Sequence, residues 1–267
     1  PYGRVLIISP WNYPFLLSIS PLIGATAAGN CTVLKPSEYA PHTAAIISEI
    51  MASHFDKGHI AVIEGNVDIG EALLEERFDY IFFTGSVTVG KRVMSAAAKH
   101  LTPVTLELGG KNPCIVDQDV NLDPAARRIV FGKFINAGQT CIAPDYLLVH
   151  QSQKANLLER IRKYLSRFYG EDPRKSPDFA RIINRHHFNR LQRLMKNGDV
   201  IIGGQSDPQD LYIAPTVMTN LSWDDPVMQD EIFGPILPVL EFEDLSDVVS
   251  SINSRPKPLA LYIFSNQ

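Results

Sequence analysis

The chain has 267 residues, 45% of them hydrophobic, which allows two ordinary domains with a core each and excludes a disordered chain. Its 25 basic and 29 acidic side chains leave a net charge of -4, so nothing draws the molecule as a whole to nucleic acid or acidic lipid, and small molecules are the expected partners. The three cysteines, Cys31, Cys114 and Cys141, are widely spaced with no C-x-x-C pair, which fits a reducing compartment and argues against a disulfide framework or a zinc site; no metal is expected.

Short runs of β-branched and aromatic residues alternate with helix-length amphipathic segments along the whole chain, the pattern of parallel sheets covered by helices on both faces. Strands are read at 5–9, 31–35, 60–64 and 80–84, with helices over 15–28, 41–53 and 67–76 between them. A helix at 87–99 leads to the strand VTLELGG, which closes on Gly109 and Gly110. The pattern restarts at 112–117 and continues with a helix over 122–136, a strand at 145–150, a charged helix over 152–168, strands at 200–203, 236–242 and 259–264, and a helix over 245–253. The double glycine and the restart place a boundary near residue 110, giving α/β units over 1–110 and 111–267. The chain lacks an initiator Met, meets a strand almost at once, and stops just after another. An N-terminal part of the first unit and a C-terminal part of the second are therefore expected to be absent. No stretch is long and apolar enough to cross a bilayer, and PYGRVLIISPWNYPF lacks the parts of a signal peptide, so a cytoplasmic protein is expected.

Residues able to carry chemistry are taken in the same order. Asn12, in SPWNYPF, follows the C-terminal end of the first strand, the edge of a parallel sheet where ligands gather. Its amide suits either an oxyanion donor or an Asx turn ahead of the helix. The second strand ends in VLKPSE, where Glu38, with Lys35 beside it, stands like the acid that hydrogen-bonds an adenosine ribose; the other reading is an exposed turn with both solvated. In YIFFTGSVTVGK an apolar strand runs into Gly85 and Ser86 and a helix opens before Gly90. Backbone N–H groups at that junction suit a pyrophosphate, and the glycine suits a plain tight turn equally well, because the spacing is not G-x-G-x-x-G.

Glu107 stands between Leu106 and Leu108 in an apolar strand, where burial would raise its pKa toward that of a general base; strand alternation offers an open face instead. Cys141, in NAGQTCIAPDY, lies in a loop of small and polar residues where a thiolate can meet a substrate. Cys31 and Cys114 fall in strand patterns and read as small core hydrophobes. Arg185, His186, His187, Arg190 and Arg193 read as a solvated helix face.

Together, PWNYPF, KPSE, FTGSVTVGK, LELGGKNP, GQTCIAPDY and EIFGP resemble the ordered motifs of the aldehyde dehydrogenase superfamily over essentially the whole chain. HLTPVTLELGGKNPC and GQTCIAPDY are closest in wording to its class 3 branch, which oxidises medium- and long-chain aliphatic and aromatic aldehydes with NAD or NADP. The resemblance implies an α/β, aldehyde dehydrogenase-like fold: a Rossmann-type NAD(P)-binding domain over 1–110 and a catalytic domain with the nucleophilic cysteine over 111–267. It makes Cys141 the nucleophile, Glu107 the general base, and Asn12 the oxyanion donor alongside the Cys141 backbone N–H. It implies cofactor binding by Lys35, Glu38, Gly85, Ser86, Gly90, Leu108, Glu231 and Phe233. Glu231, of EIFGP, would meet the nicotinamide ribose and Phe233 the nicotinamide, two roles that rest on the resemblance alone. In such chemistry the Cys141 thiolate attacks the aldehyde carbon, hydride passes to the nicotinamide, and Glu107 activates the water that hydrolyses the thioester.

A full-length relative also carries helices before the first strand and, after the last, a P-F-G-G-type segment and an oligomerisation arm; a homodimer is implied. Two rivals stay open. One is an acylating enzyme that hands the thioester to coenzyme A, against which Glu107 speaks. The other is a catalytically silent truncated relative that only binds nucleotide or partner subunits.

Overall fold

In the segment Arg4–Ile8, β1, Val5 and Ile7 pack into one apolar cluster with Leu22, Leu34, Ile47 and Met51, while Leu6 packs into another with Ile81, Phe83 and Val93. Alternate side chains of one strand thus enter two cores, which requires a sheet buried on both faces and explains the unbroken apolar runs in the sequence. The computed structural model describes residues 1–266, which divide into two units, Pro1–Leu108 and the described residues from Gly109 onward.

In the first unit β1 is followed by α1 (Pro14–Ala27), β2 (Cys31–Lys35), α2 (Pro41–His54), β3 (Ile60–Val62), α3 (Val67–Glu75), β4 (Tyr80–Gly85), α4 (Val87–Ala98) and β5 (Val104–Leu108). Every strand pairing is parallel and the order is β3-β2-β1-β4-β5. Helix starts follow local chemistry: Pro14 and Pro41 open α1 and α2, and Asn66 and Ser86 cap α3 and α4 by accepting from Ile69 and Val89 N–H groups. The side chain of Asn30, within a glycosylation-type triplet, is engaged inside the fold: it accepts from the N–H groups of Tyr2 and Gly3 and donates to the Ala25 carbonyl.

The second unit runs β6 (Pro113–Val116), α5 (Leu122–Phe134), a 3-10 turn (Ile135–Gly138), β7 (Tyr146–His150), α6 (Lys154–Tyr169), α7 (Arg185–Leu194), β8 (Asp199–Ile202), β9 (Ser206–Asp207), β10 (Tyr212–Ile213), β11 (Thr216–Thr219), β12 (Ile236–Phe242), α8 (Leu245–Asn253) and β13 (Tyr262–Phe264). Its main sheet has the order β13-β6-β7-β12-β11-β8, parallel except for the antiparallel edge strand β8, and β9 and β10 form a small hairpin. One large core surrounds this sheet, from Leu147, Val149, Leu237 and Val239 on the strands to Ile129, Leu157, Ile161, Phe188 and Leu191 on the helices. Among the described residues no helix is long and apolar enough to cross a membrane.

Several boundaries differ from the sequence reading, two of them for visible reasons. The helix expected over 122–136 stops at Phe134 because Asn136 and Ala137 both adopt left-handed φ of 51°. The strand expected from 259 starts at Tyr262 because the N–H groups of Leu259 and Ala260 bond the Asn112 side chain instead of a neighbouring strand. Strand β3 ends at Val62 rather than 64, although Ile63 N–H still bonds the Leu34 carbonyl.

Candidate functional site

In the first unit β1 lies between β2 and β4, so the chain winds one way from β1 and the other way from β4. At such a reversal the crevice beyond the carboxyl ends of the strands is the natural binding place of an open parallel sheet. The expected residues of this unit leave from that edge. Asn12, half-buried, follows β1 just ahead of α1. Lys35 ends β2, Gly85 ends β4, and Glu107 and Leu108 end β5 in register with Thr84 and Gly85.

Lys35 and Glu38 come together in an ion pair of 3.0 Å, with Lys35 4% exposed. The solvated-turn reading therefore fails for Lys35, whose ammonium is held under the turn at the tip of β2. Ser86 caps α4, its Oγ accepting from Val89 N–H at 3.3 Å, so the amide-rich start of that helix follows Gly85 directly. Gly90 and Leu108 are packing partners: a Cβ on Gly90 would meet Leu108 Cδ2 at 2.7 Å, so the glycine is what lets α4 close on β5. Glu107 is exposed, with Thr105, Leu106 and Leu108 half-buried around it. The burial argument for this carboxylate does not hold; alternation along β5 turns it to an open face.

In the second unit Cys141 is half-buried in the loop between α5 and β7. Three left-handed residues in succession, Asn136, Ala137 and Gly138, reverse the chain just before it. Two of them carry side chains, a conformation that costs on the order of 1 kcal/mol each and persists only where its surroundings enforce it. A Cβ on Gly138 would run into the Gly234 carbonyl, so this reversal and the EIFGP loop meet backbone to backbone. Cys114 is a core residue as expected, and its burial pushes its thiol pKa up. Cys31 is exposed rather than buried: it opens β2, ahead of Thr32 and Leu34, which are buried, and of Val33, which packs against the Leu6 cluster on its own face.

Glu231, half-buried, lies in a charged cluster built on the buried Asp145 and Lys133. Asp145 is its hub, accepting from Lys111 Nζ at 2.7 Å and from the Ile232 N–H at 3.0 Å. Lys111 also donates to the Val227 and Asp230 carbonyls at 2.8 and 2.9 Å, and Arg190 donates to the Glu231 and Ile232 carbonyls at 3.4 and 2.5 Å. The loop is thus tied on several sides, and in it Phe233 holds a left-handed φ of 49°. Burial, with the Asp145 carboxylate adding to it, pushes the pKa of Glu231 up to about 7 against the Gly110 N–H, Lys133 and Arg190. A Cβ on Gly109 would collide with the Glu231 carboxylate, which explains the first glycine of the Gly-Gly pair. Lys133 on α5 is wholly buried, and burial brings its pKa down to about 8 despite Asp145. Neither Lys133 Nζ nor Glu231 Oε1 has a hydrogen-bond partner in the structure.

The sequence reading missed Lys133, Asp145 and Lys111, and it placed Arg190 on a solvated face where the structure turns it toward the loop. For Lys133 a signal existed. Leu122, Ala126, Ile129, Val130 and Lys133 share one helical stripe, so periodicity alone put the lysine on the buried side. Cys141, Glu231 and Phe233 belong to the second unit, and Asn12, Lys35, Glu38, Gly85, Ser86, Gly90, Glu107 and Leu108 to the first. Among the described residues no group of three His, Cys, Asp or Glu is arranged to hold a metal ion.

A sequence model of the Aldehyde dehydrogenase family matches residues 1–267. The chain is 54% identical over 266 residues to aldehyde dehydrogenase family 3 member B1 of Bos taurus, covering 100% of this chain and 57% of that protein. It is 52% identical over 266 residues to the Rattus norvegicus protein named aldehyde dehydrogenase, dimeric NADP-preferring, covering 100% of this chain and 59% of that one. Among solved structures, the substrate-bound state of Staphylococcus aureus AldH superposes with a TM-score of 0.98 at 49% identity, covering 100% of this chain and 59% of the other. A Mycobacterium tuberculosis aldehyde dehydrogenase complexed with NAD+ superposes with a TM-score of 0.91 at 29% identity, covering 100% of this chain and 58% of the other. The chain therefore spans less than two thirds of the length of the relatives it matches.

Proposed function

The chain belongs to the aldehyde dehydrogenase family, and from that premise we propose that the whole protein oxidises aliphatic or aromatic aldehydes to acids with NAD or NADP, using Cys141 as nucleophile. Pro1–Leu108 serves as the cofactor-binding unit and Gly109–Gln267 as the catalytic unit. A homodimer is proposed from the name of the dimeric relative, and free cysteines suit a reducing, cytoplasmic setting.

The observation that carries this reading is the carboxyl edge of the first sheet, where Asn12, Lys35, Glu38, Gly85, Ser86 and Glu107 all leave at or beside a topological reversal. A dinucleotide fits the donor set. Lys35 and Glu38 suit the adenosine ribose, and the amide-rich start of α4 after Gly85 suits a pyrophosphate. The buried Glu231 Oε1 lacks a donor, and a ribose hydroxyl would supply one. Phe233 offers a flat apolar face for the nicotinamide, which accepts hydride when the cofactor is bound.

The chain's own groups then divide the work. The Cys141 thiolate attacks the aldehyde carbon, and the oxyanion that forms takes hydrogen bonds from the Asn12 amide and the Cys141 backbone N–H. Glu107, on its open face, accepts a proton from the water that hydrolyses the thioester, so the product is the acid.

The test is aldehyde-dependent appearance of reduced nicotinamide in the complete protein, with Cys141→Ser alongside. Cys141→Ser should abolish turnover and leave cofactor affinity nearly unchanged, because a serine hydroxyl is scarcely ionised at neutral pH. Cofactor binding without turnover on any aldehyde would favour a silent relative, and turnover that requires coenzyme A would favour an acylating one.

A further inference from the structure

Three consecutive carbonyls of the cysteine loop are each taken by a side chain from outside it. Asn112 Nδ2 donates to the Cys141 carbonyl at 2.7 Å and to the Ala143 carbonyl at 3.0 Å. The Tyr262 hydroxyl donates to the Ile142 carbonyl between them at 2.5 Å. The two donors come from neighbouring strands: Asn112 immediately precedes β6, and Tyr262 opens β13, in parallel register with Cys114.

Asn112 is wholly buried and its carboxamide is used to capacity. Besides the two N–H donations, its Oδ1 accepts from the N–H groups of Leu259 and Ala260 at 3.0 and 2.8 Å. Its own backbone carbonyl accepts from Asp145 N–H at 2.8 Å, at the far end of the same loop. One side chain thus fastens the cysteine loop to the segment that leads into β13. The Tyr262 pKa is raised, first by burial and then by Cys114 and Cys141, so its hydroxyl remains a donor at neutral pH.

We propose that Asn112 and Tyr262 are positioning residues for Cys141, orienting its thiolate by holding the carbonyls of residues 141, 142 and 143. The peptide is planar, so fixing a carbonyl fixes the whole peptide unit, and fixing three in a row sets the backbone on the C-terminal side of the nucleophile. A carbonyl engaged by a donor also has its partial negative charge offset, which favours a nearby thiolate over a thiol. The loop lies in neither strand nor helix, so loss of either donor loosens the peptides that donor holds, the 142 carbonyl for Tyr262 and the 141 and 143 carbonyls for Asn112. The inference rests on Cys141 being the nucleophile.

The experiment measures iodoacetamide alkylation of Cys141 across pH in the complete protein, resolved by mass spectrometry, for Tyr262→Phe and Asn112→Asp. Asn112→Asp keeps the acceptor for Leu259 and Ala260 but faces the two loop carbonyls with oxygen. Tyr262→Phe, at a half-buried strand position, removes only a hydroxyl and decides the matter alone if the other variant fails to fold. Expected for Tyr262→Phe are Cys141 alkylation roughly three- to tenfold slower at neutral pH, the factor of one neutral hydrogen bond, a pH midpoint displaced upward, kcat reduced in parallel, and cofactor Kd unchanged. Cys31, exposed and in the other unit, should alkylate at the same rate in every variant. A folded Tyr262→Phe whose Cys141 rate and pH profile match the parent protein overturns the inference. Turnover surviving in Cys141→Ser would instead overturn the nucleophile assignment, so the two failures are separable.

Discussion

Replacing Lys133 with methionine should make the protein more stable at neutral pH. The lysine is wholly buried, its ammonium has no hydrogen-bond partner, and burial brings its pKa from 10.5 down to about 8. That fall corresponds to roughly 3 kcal/mol of disfavoured charge. The sign follows from proton affinity: the unfolded chain holds the proton more tightly, so the penalty is full below about pH 8 and disappears as pH rises toward 10.5. Methionine fills nearly the same volume without charge, and a buried charge replaced by a well-packed apolar group is often a gain. No carboxylate is stranded, since Asp145 keeps Lys111 and Glu231 keeps the Gly110 N–H and Arg190. The expected gain is about 2 to 3 kcal/mol at neutral pH, falling below about 1 kcal/mol near pH 10, read from urea midpoints at the two pH values. A less stable variant at neutral pH would refute the reasoning, because the pull of Asp145 and Glu231 on the ammonium would then outweigh its burial. A gain that does not change with pH would refute it as well.

Glu231→Gln should flatten the pH dependence of cofactor affinity. In the parent protein Kd should fall as pH rises through about 7, where the carboxylate ionises and becomes a full acceptor, and calorimetric titration on both sides of that value checks it. Because the folded pKa lies above the ordinary 4.5, ionising Glu231 lowers stability by roughly 3 kcal/mol across that window, and Glu231→Gln should remove this slope from the urea midpoints. Glu107→Gln should preserve the first burst of reduced nicotinamide and depress the steady state, with acyl adducts on Cys141 in quenched samples; loss of the burst would move Glu107 to an earlier step. Gly138→Ala should destabilise by more than about 3 kcal/mol, since its φ of 73° is coupled to a collision with the Gly234 backbone. Gly170→Ala, with nothing within 4 Å of its Cβ but a φ of 77° and a ψ of −178° that only glycine adopts readily, should lose about 2 kcal/mol in the same denaturation assay, from backbone strain alone.

Periodicity made the first unit legible. Its strands are buried on both faces and read as continuous apolar runs, its helices start at Pro, Asn or Ser, and β1, β2 and β4 fall within a residue of where the sequence put them. In the second unit β12 and α8 lie where the sequence put them, and β6, β7 and β8 lie within a residue of it. The two-residue strands β9 and β10 escaped because runs that short carry no readable period, and β11 went unread beside them. Among the candidate site residues, those with a distinctive local setting stand out in the sequence: Cys141 in its polar loop, Gly85 and Ser86 at a strand-to-helix junction. Glu107 stands out by an expected burial that the structure removes, since its strand turns it outward.

What escaped the sequence was the support around Glu231, and the cause is sequence distance. Lys111, Lys133, Asp145 and Arg190 reach the EIFGP loop from positions 41 to 120 residues away, and no local pattern predicts such convergence. Energetics give this cluster its meaning. A core that loses roughly 3 kcal/mol by holding the Lys133 ammonium, and a similar amount by ionising Glu231, departs from what stability alone would select. Such departures are expected where a carboxylate must stay ionised and fixed in place for a ligand. The stabilised Lys133→Met protein should therefore bind cofactor more weakly at neutral pH, because Glu231 loses the cation that favours its charged form. Stability and affinity moving in opposite directions in one variant would separate this account from a purely structural role for the lysine, under which both would change together.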